Sequence, residues 1–338
     1  MNQVNQDALA TFIAKRAAAR KASITQITRL SGGAIQENWL ILLTLSDGPM
    51  AGKLDLVMRT DSPSGVSQSH SRAAEFSLLQ TVYQCGVCVP EPLWLCEDAQ
   101  IIGRPFFIMR RVGGSAAGHV LVKDSQFSGD RIRLAERLGE ELARIHTIKP
   151  PNTSLSFLPM PIGAPSQHLV GRARHVLDTN KLTRPALEWG LRWLEIHAPR
   201  EEQIVLCHRD YRTGNYMVDA QGLTGILDWE FAGWGNPLED IGWFCAKCWR
   251  FGVNAREAGG IGQREDFYRG YERISSTSIE RDAIRYWEVM AHMNWAIIAL
   301  QQSLRHISGE EQSLLLALTG HIVPELEYEI LHMTKEFP

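Results

Sequence analysis

LCHRDYRTGNYMVDAQGLTGILDWEFAGWGNPLED, residues 206–240, holds two carboxylates and an amide in a fixed order. Asp210 ends a His-Arg-Asp triplet, Asn215 follows five positions later, and Asp228 follows eighteen after Asp210. An apolar run (203–207) precedes the first group, and a second (223–227) leads into the last. Both read as buried strands that deliver acids into loops. Metal-dependent phosphoryl transfer needs this set: one acid to accept or orient a hydroxyl proton, and an amide with a second acid to hold Mg²⁺ against nucleotide phosphates.

The chain has 338 residues, enough for two lobes with separate cores. It is 44% hydrophobic and 22% charged, the composition of an ordinary globular protein. A net charge of −3, with no block of Lys and Arg, argues against nucleic acid as a partner. No apolar run approaches the ~18 residues of a membrane span. The first twenty residues lack the apolar core of a signal peptide. Leu9, Phe12, Ile13 and Ala17 instead fit one helical stripe. A soluble cytoplasmic protein is the expectation. Two pairs, Cys85/Cys88 and Cys245/Cys248, have C-x-x-C spacing, but more than 150 residues part them, far from the ~15–20 of a zinc ribbon. Buried reduced thiols are expected, not a metal centre.

Outward from the opening stretch, the N-terminal part alternates as strands do. Residues 24–30, 39–45 and 54–59 read as strands, parted by a glycine-bearing turn (31–38) and a Ser-Asp-Gly-Pro turn. A helix follows over 72–84, then strands near 92–95 and 105–109. From Gly113 the character turns helical. Ile132, Ala135, Leu138, Leu142 and Ile145 recur at helical spacing, and Pro150 and Pro151 stop that run. Leu187, Leu191 and Leu194 mark another helix. Further helices are expected over 238–251, 263–274, 279–304 and 309–335. The simplest partition is an α+β, bilobal chain: an antiparallel-sheet lobe over 1–110 with one key helix, and a mostly helical lobe over 111–338, with a ligand cleft between them.

Five segments in this order, SGGAIQENW, LVMR, PFFIMRRVGG, HRDYRTGN and ILDWEFAGWGNPLEDIGW, make the chain resemble the aminoglycoside phosphotransferase-like branch of the protein-kinase-like superfamily, which includes choline and homoserine kinases. The likeness runs from Ser31 to the C-terminal helices. Within that branch the chain is most similar to the phosphotransferase domains related to those fused to acyl-CoA dehydrogenases. The resemblance implies the protein-kinase-like fold and transfer of the ATP γ-phosphoryl group. It implies Asp210 as catalytic base, Asn215 and Asp228 as Mg²⁺ ligands, and Ser31, Gly32 and Gly33 in a loop over the phosphates. Met109, Arg111 and Val112 would form the interlobe hinge that reads the adenine edge. Some members of the superfamily use GTP, and the hinge sequence does not discriminate.

Arg59 stands where kinases carry the lysine that contacts the phosphates. An Arg fork binds phosphate oxygens and never loses its charge, and its pairing partner would be Glu75. Arg212, two residues beyond the base, and Glu230 are candidates for substrate contact. His208 and Arg209 read as braces of the loop, Asp240 as a cap or loop anchor, and Asn236 as structural.

A polycationic aminoglycoside acceptor would call for an acidic pocket, yet residues 255–287 balance six arginines against six acids. A hydroxy acid or hydroxyacyl-CoA fits better; an antibiotic O-phosphotransferase is the alternative. Residues 111–338 also hold eight of the ten tryptophans, read as packing between helices. A protein kinase is disfavoured because no Ala-Pro-Glu segment follows Asp228. A catalytically weak binding protein is favoured only by Arg59 in place of lysine. The partners are then a nucleotide and a small hydroxylated molecule, with neither nucleic acid nor membrane; the oligomeric state is left open.

Overall fold

The computed structural model describes residues 5–30, 36–61, 69–123, 130–200, 202–275 and 278–335. It is a mixed α+β chain that divides into two compact units, Met1–Gly113 with Thr224–Phe231, and Gly114–Leu223 with Ala232–Pro338. None of the described helices is long and apolar enough to cross a membrane.

In the first unit, helix α1 (Gln6–Arg16) precedes three strands, β1 (Ala22–Arg29), β2 (Gln36–Leu45) and β3 (Gly52–Asp61). Helix α2 (Arg72–Gln84) follows, then β4 (Pro92–Cys96) and β5 (Phe106–Arg110). The strands form one antiparallel sheet in the order β1-β2-β3-β5-β4. Period-two alternation decides its faces. Ile41, Leu43, Leu56, Met58, Phe106 and Ile108 pack in one core with Leu9 and Ile13 of α1. The intervening residues point the other way, so Arg59, opposite Phe107 in the register, shares that second face. Phe107 meets Phe76 of α2 there, with ring centroids 5.7 Å apart. The N-terminal turn of α2, capped by the Ser71 hydroxyl, therefore lies against Arg59.

In the second unit, helices α3 (Gly118–Lys123), α4 (Arg131–Ile145), α5 (Pro165–Thr179) and α6 (Pro185–Ile196) lead to strand β6 (Val205–Cys207). After β7 (Tyr216–Asp219), β8 (Gly222–Ile226) carries the chain into the first unit. Strand β9 (Gly233–Gly235) returns and pairs antiparallel with β6. Helices α7 (Pro237–Cys245), α8 (Arg264–Ser275), α9 (Arg281–Ile307), α10 (Leu314–Gly320) and α11 (Val323–Thr334) complete it. The main core joins α5, α6, α9 and α11.

Two helical expectations are corrected. The run 238–251 ends as a helix at Cys245, because Ala246 leaves the helical region and residues 247–249 form a single 3₁₀ turn. The run 309–335 is two helices, the second restarting around Pro324, which cannot continue a preceding helix. Helix α5 was not anticipated, although Pro165 opens it and Leu169, Val170, Ala173 and Leu177 line its buried side.

Helices α4 and α8 cross with their backbones almost in contact. A Cβ on Gly270 would lie 1.9 Å from the Glu136 carbonyl oxygen, and one on Gly139 2.1 Å from that of Phe267. Backbone cannot yield as a side chain can. Gly270→Ala is thus expected to force the helices apart and cost about 1–3 kcal/mol, the usual scale of overpacking. Urea unfolding checks this; an unchanged midpoint would contradict the contact.

Candidate active site

Each unit holds a cluster of candidate site residues. In the first, Glu75 bridges two arginines. Its Oε1 lies 2.8 Å from Arg59 Nε, and its Oε2 contacts Arg72 Nη1. Arg72 is itself fully buried, donating from Nε to Asp61 at 2.8 Å and from Nη2 to the His70 carbonyl at 2.8 Å. It props Glu75, while Arg59 reaches onward: Arg59 Nη2 donates to Asp228 Oδ1 at 2.6 Å. Burial alone would disfavour the Arg59 charge, but Glu75, Asp228 and Glu230 more than offset it and raise its pKa.

Asp228 follows β8 with φ +68°, a left-handed backbone that costs a non-glycine residue about 1–3 kcal/mol. The turn that imposes this is held by hydrogen bonds within the unit. Ile226 N–H donates to the Cys88 carbonyl at 2.7 Å, and His70 N–H to the Glu230 carbonyl at 3.0 Å. The Glu230 carboxyl is buried and takes a bond from Gln36 Nε2 at 3.3 Å. Burial, with the Asp228 charge beside it, pushes its pKa up to about 8 against the pull of Arg59.

The second cluster is built on the loop after β6. Its backbone is fixed by Asp240 on α7, which is completely buried. Asp240 Oδ2 accepts the His208 N–H and Oδ1 the Arg209 N–H, each at 2.7 Å. His146 Nε2 lies 3.1 Å from Oδ2, and its Nδ1 2.8 Å from the Tyr271 hydroxyl. Arg209 takes a left-handed φ of +63° and donates from Nη2 to the Trp234 carbonyl at 2.7 Å. Tyr211 donates to the Leu138 carbonyl at 2.7 Å, and Thr213 to that of Gly259 at 2.7 Å. Bonds from α4, α7 and the 259 turn thus tie the loop down at several points.

This scaffold presents Asp210. Its Oδ1 accepts Arg212 Nε at 2.8 Å and Trp243 Nε1 at 3.1 Å. Asn215 Nδ2 donates to the Asp210 carbonyl at 2.9 Å and to Oδ2. Asn215 thereby turns its amide oxygen, a hard donor suited to Mg²⁺, away from Asp210. The carboxylate of Asp228 is the corresponding hard donor in the first unit.

Ser31, Gly32 and Gly33 lie outside the described residues. Of the stretch 109–112, the Arg110 N–H is committed to the Glu91 carbonyl at 2.9 Å and the Arg111 N–H to that of Asp55 at 3.0 Å. Met109 and Val112 are half-buried and Arg111 is exposed. All six cysteines are free thiols. Among the described residues, His146, Cys207 and Asp240 are the one group with metal-ligand proximity. Their donors are already spent on the loop anchor, and Cys207 donates to the Asn236 carbonyl at 3.3 Å. The helix cap beside them is Asn236, whose side chain accepts the Leu238 N–H at 2.9 Å.

Sequence reasoning missed Trp243. It lies one helical turn beyond Asp240, so the face of α7 that ties down the loop backbone also reaches the Asp210 carboxylate. That spacing was the available signal.

The model of a family described as "Phosphotransferase enzyme family" matches residues 26–276. Acyl-CoA dehydrogenase family member 10 of Mus musculus is 31% identical over 200 residues, 56% of this chain. The aligned part is only 18% of that relative's length. A Ralstonia eutropha protein provisionally described as an aminoglycoside phosphotransferase superposes with TM-score 0.78 at 20% identity, over 98% of both chains. A variant of aminoglycoside 2'-phosphotransferase-IIIa, solved with GDP, gives 0.65 at 17% identity over 96% of this chain and 98% of its own.

Proposed function

Since the chain belongs to the phosphotransferase enzyme family, we propose that it transfers the γ-phosphoryl group of ATP to a hydroxyl of a small acid or acyl thioester. A hydroxy acid or hydroxyacyl-CoA is the favoured acceptor. The observation that carries this reading is Asp210, locked by Arg212 and Asn215 on a pre-formed loop. In the reaction Asp210 orients the acceptor hydroxyl and takes its proton as the new O–P bond forms, and ADP leaves with the electrons of the broken bond.

The donor set fits a divalent cation: the Asn215 amide oxygen and the Asp228 carboxylate would hold Mg²⁺, which supplies charge neutralisation on the phosphates when bound. Arg59, paired to Glu75, would meet the same phosphates. The glycine-bearing turn at Ser31, Gly32 and Gly33, and the stretch Met109, Arg111 and Val112, would complete the nucleotide site. Glu230, in the Arg59 cluster, is proposed to tune that site. Arg212 would meet the acceptor's acyl or carboxylate oxygen. A cation beside the base suits an anionic acceptor and works against a polycationic one. The likeness to relatives named as acyl-CoA dehydrogenase family members supports a thioester, and a related structure holding GDP supports nucleotide use and keeps GTP in the test.

The test is ATP and GTP consumption by purified protein across hydroxy acids, hydroxyacyl-CoAs and aminoglycosides. Turnover confined to the first two classes is expected. Tight nucleotide-dependent modification of aminoglycosides, with none of the hydroxyacyl compounds, would overturn the reading. Arg59→Met is expected to weaken Mg·ATP binding about 10–100-fold, the scale of a hydrogen bond to a charged group, as read by calorimetry.

A further inference from the structure

Asp210, Arg212, Trp249 and Trp243 close a ring of contacts. Arg212 Nε donates to Asp210 Oδ1 at 2.8 Å, and the Arg212 guanidinium carbon lies 4.6 Å from the centroid of the Trp249 ring. Trp249 packs on Trp243 with centroids 5.2 Å apart, and Trp243 Nε1 returns to the same Asp210 oxygen at 3.1 Å. Two indoles, one guanidinium and one carboxylate thus fix one another's orientation. Ala246, Ala291 and the partly buried Trp295 back the ring as a small apolar cluster.

We infer that Trp243 is a positioning residue for Asp210, and that Trp249 is a specificity-determining platform that aims Arg212 at an oxygen of the acceptor near its hydroxyl. This rests on the phosphotransferase reading of Asp210. Packing alone explains why the indoles are buried, but not why the Trp243 N–H is spent on a carboxylate already bound by Arg212 and Asn215. Donors on both oxygens hold the plane of the carboxylate. The guanidinium is held over the indole face and Nη1 reaches the Thr213 carbonyl at 3.4 Å, so the free N–H groups keep one direction instead of sampling many. An acceptor with a carboxylate or thioester carbonyl close to its hydroxyl would meet both groups at once. A simple alcohol would use Asp210 alone.

Two measurements test this. In protein labelled with ¹⁵N-tryptophan, the Trp243 indole resonance is identified by its loss in Trp243→Phe. It is expected to move in Asp210→Asn, which replaces the charged acceptor of its N–H by a neutral amide. A resonance blind to Asp210→Asn overturns the contact, and this readout needs no acceptor. In turnover, with the acceptor found by screening or with water in slow Mg·ATP hydrolysis, Trp243→Phe should lower kcat about tenfold. Its KM for ATP should not change. Trp249→Leu should instead raise the acceptor KM about tenfold with kcat retained. Folded variants with wild-type kcat and KM would return both tryptophans to a packing role. No turnover by the wild type, with the indole response intact, counts against the phosphotransferase reading and not against the ring.

Discussion

Asp210→Ala is expected to reduce phosphoryl transfer by about 10²–10⁴-fold, the range associated with a positioned acid–base group. Mg·ATP binding should survive, because the Arg59–Glu75 pair and Asp228 belong to the first unit and Asn215 keeps its bond to the residue 210 backbone carbonyl. The substitution frees one hydrogen bond each from Arg212, Trp243 and Asn215 but leaves the Asp240 anchor intact. Circular dichroism should therefore report a folded protein. Rapid-quench measurement of phosphorylated product separates this from a binding defect. Residual activity within a few-fold of the wild type would remove Asp210 from the role of base.

Asp240→Ala should have the largest effect on stability. It removes a fully buried carboxylate and strands the His208 and Arg209 N–H groups and His146. Breaking a buried charged network in this way costs about 3–5 kcal/mol, and the loop carrying Asp210 loses its fixed backbone. Activity should fall with it, though no atom of Asp240 is proposed to touch substrate. Burial by itself would raise the Asp240 pKa. The hydrogen bond from His146, the charges of His146 and His208 and the His208 N–H bring it below the ordinary value instead. A lowered folded pKa confers stability above the unfolded-state value, and that stability is lost as pH falls through the folded one. The gap between wild type and Asp240→Ala in urea unfolding should then be full near neutrality and narrow as the solution is acidified below the usual carboxylate range. A gap independent of pH would show that the cost is one of packing.

Both predictions concern one loop, and they differ in how far sequence could reach. The spacing of Asp210, Asn215 and Asp228 is a local pattern carried by two short apolar strands, and such patterns are legible because strand alternation and loop chemistry are properties of neighbouring residues. The five strands of the sheet were legible for the same reason. Arg59 could be placed on a strand, and its pairing with Glu75 was anticipated, but the role of Arg72 as the prop behind Glu75 depends on how α2 docks. The anchor formed by Asp240 with His146, and the tryptophan ring around Arg212, draw on residues up to about a hundred positions apart. No periodicity records such meetings. Where helices end was also poorly legible: Cys245 and Gly320 stop helices in runs whose apolar spacing continues.

The assignment of residues 224–231 to the first unit has a consequence for how the protein is made. Synthesis runs from the N-terminus, and domains usually fold as they leave the ribosome. Here the sheet of the first unit emerges early, but Arg59 then has no Asp228, the His70 N–H has no Glu230 carbonyl, and the Cys88 carbonyl has no Ile226 N–H. Those partners arrive only when residue 231 has been translated. The half-built unit must wait on the ribosome while residues 114–223 are made, and its last stitch is the segment that carries the acid proposed to bind metal.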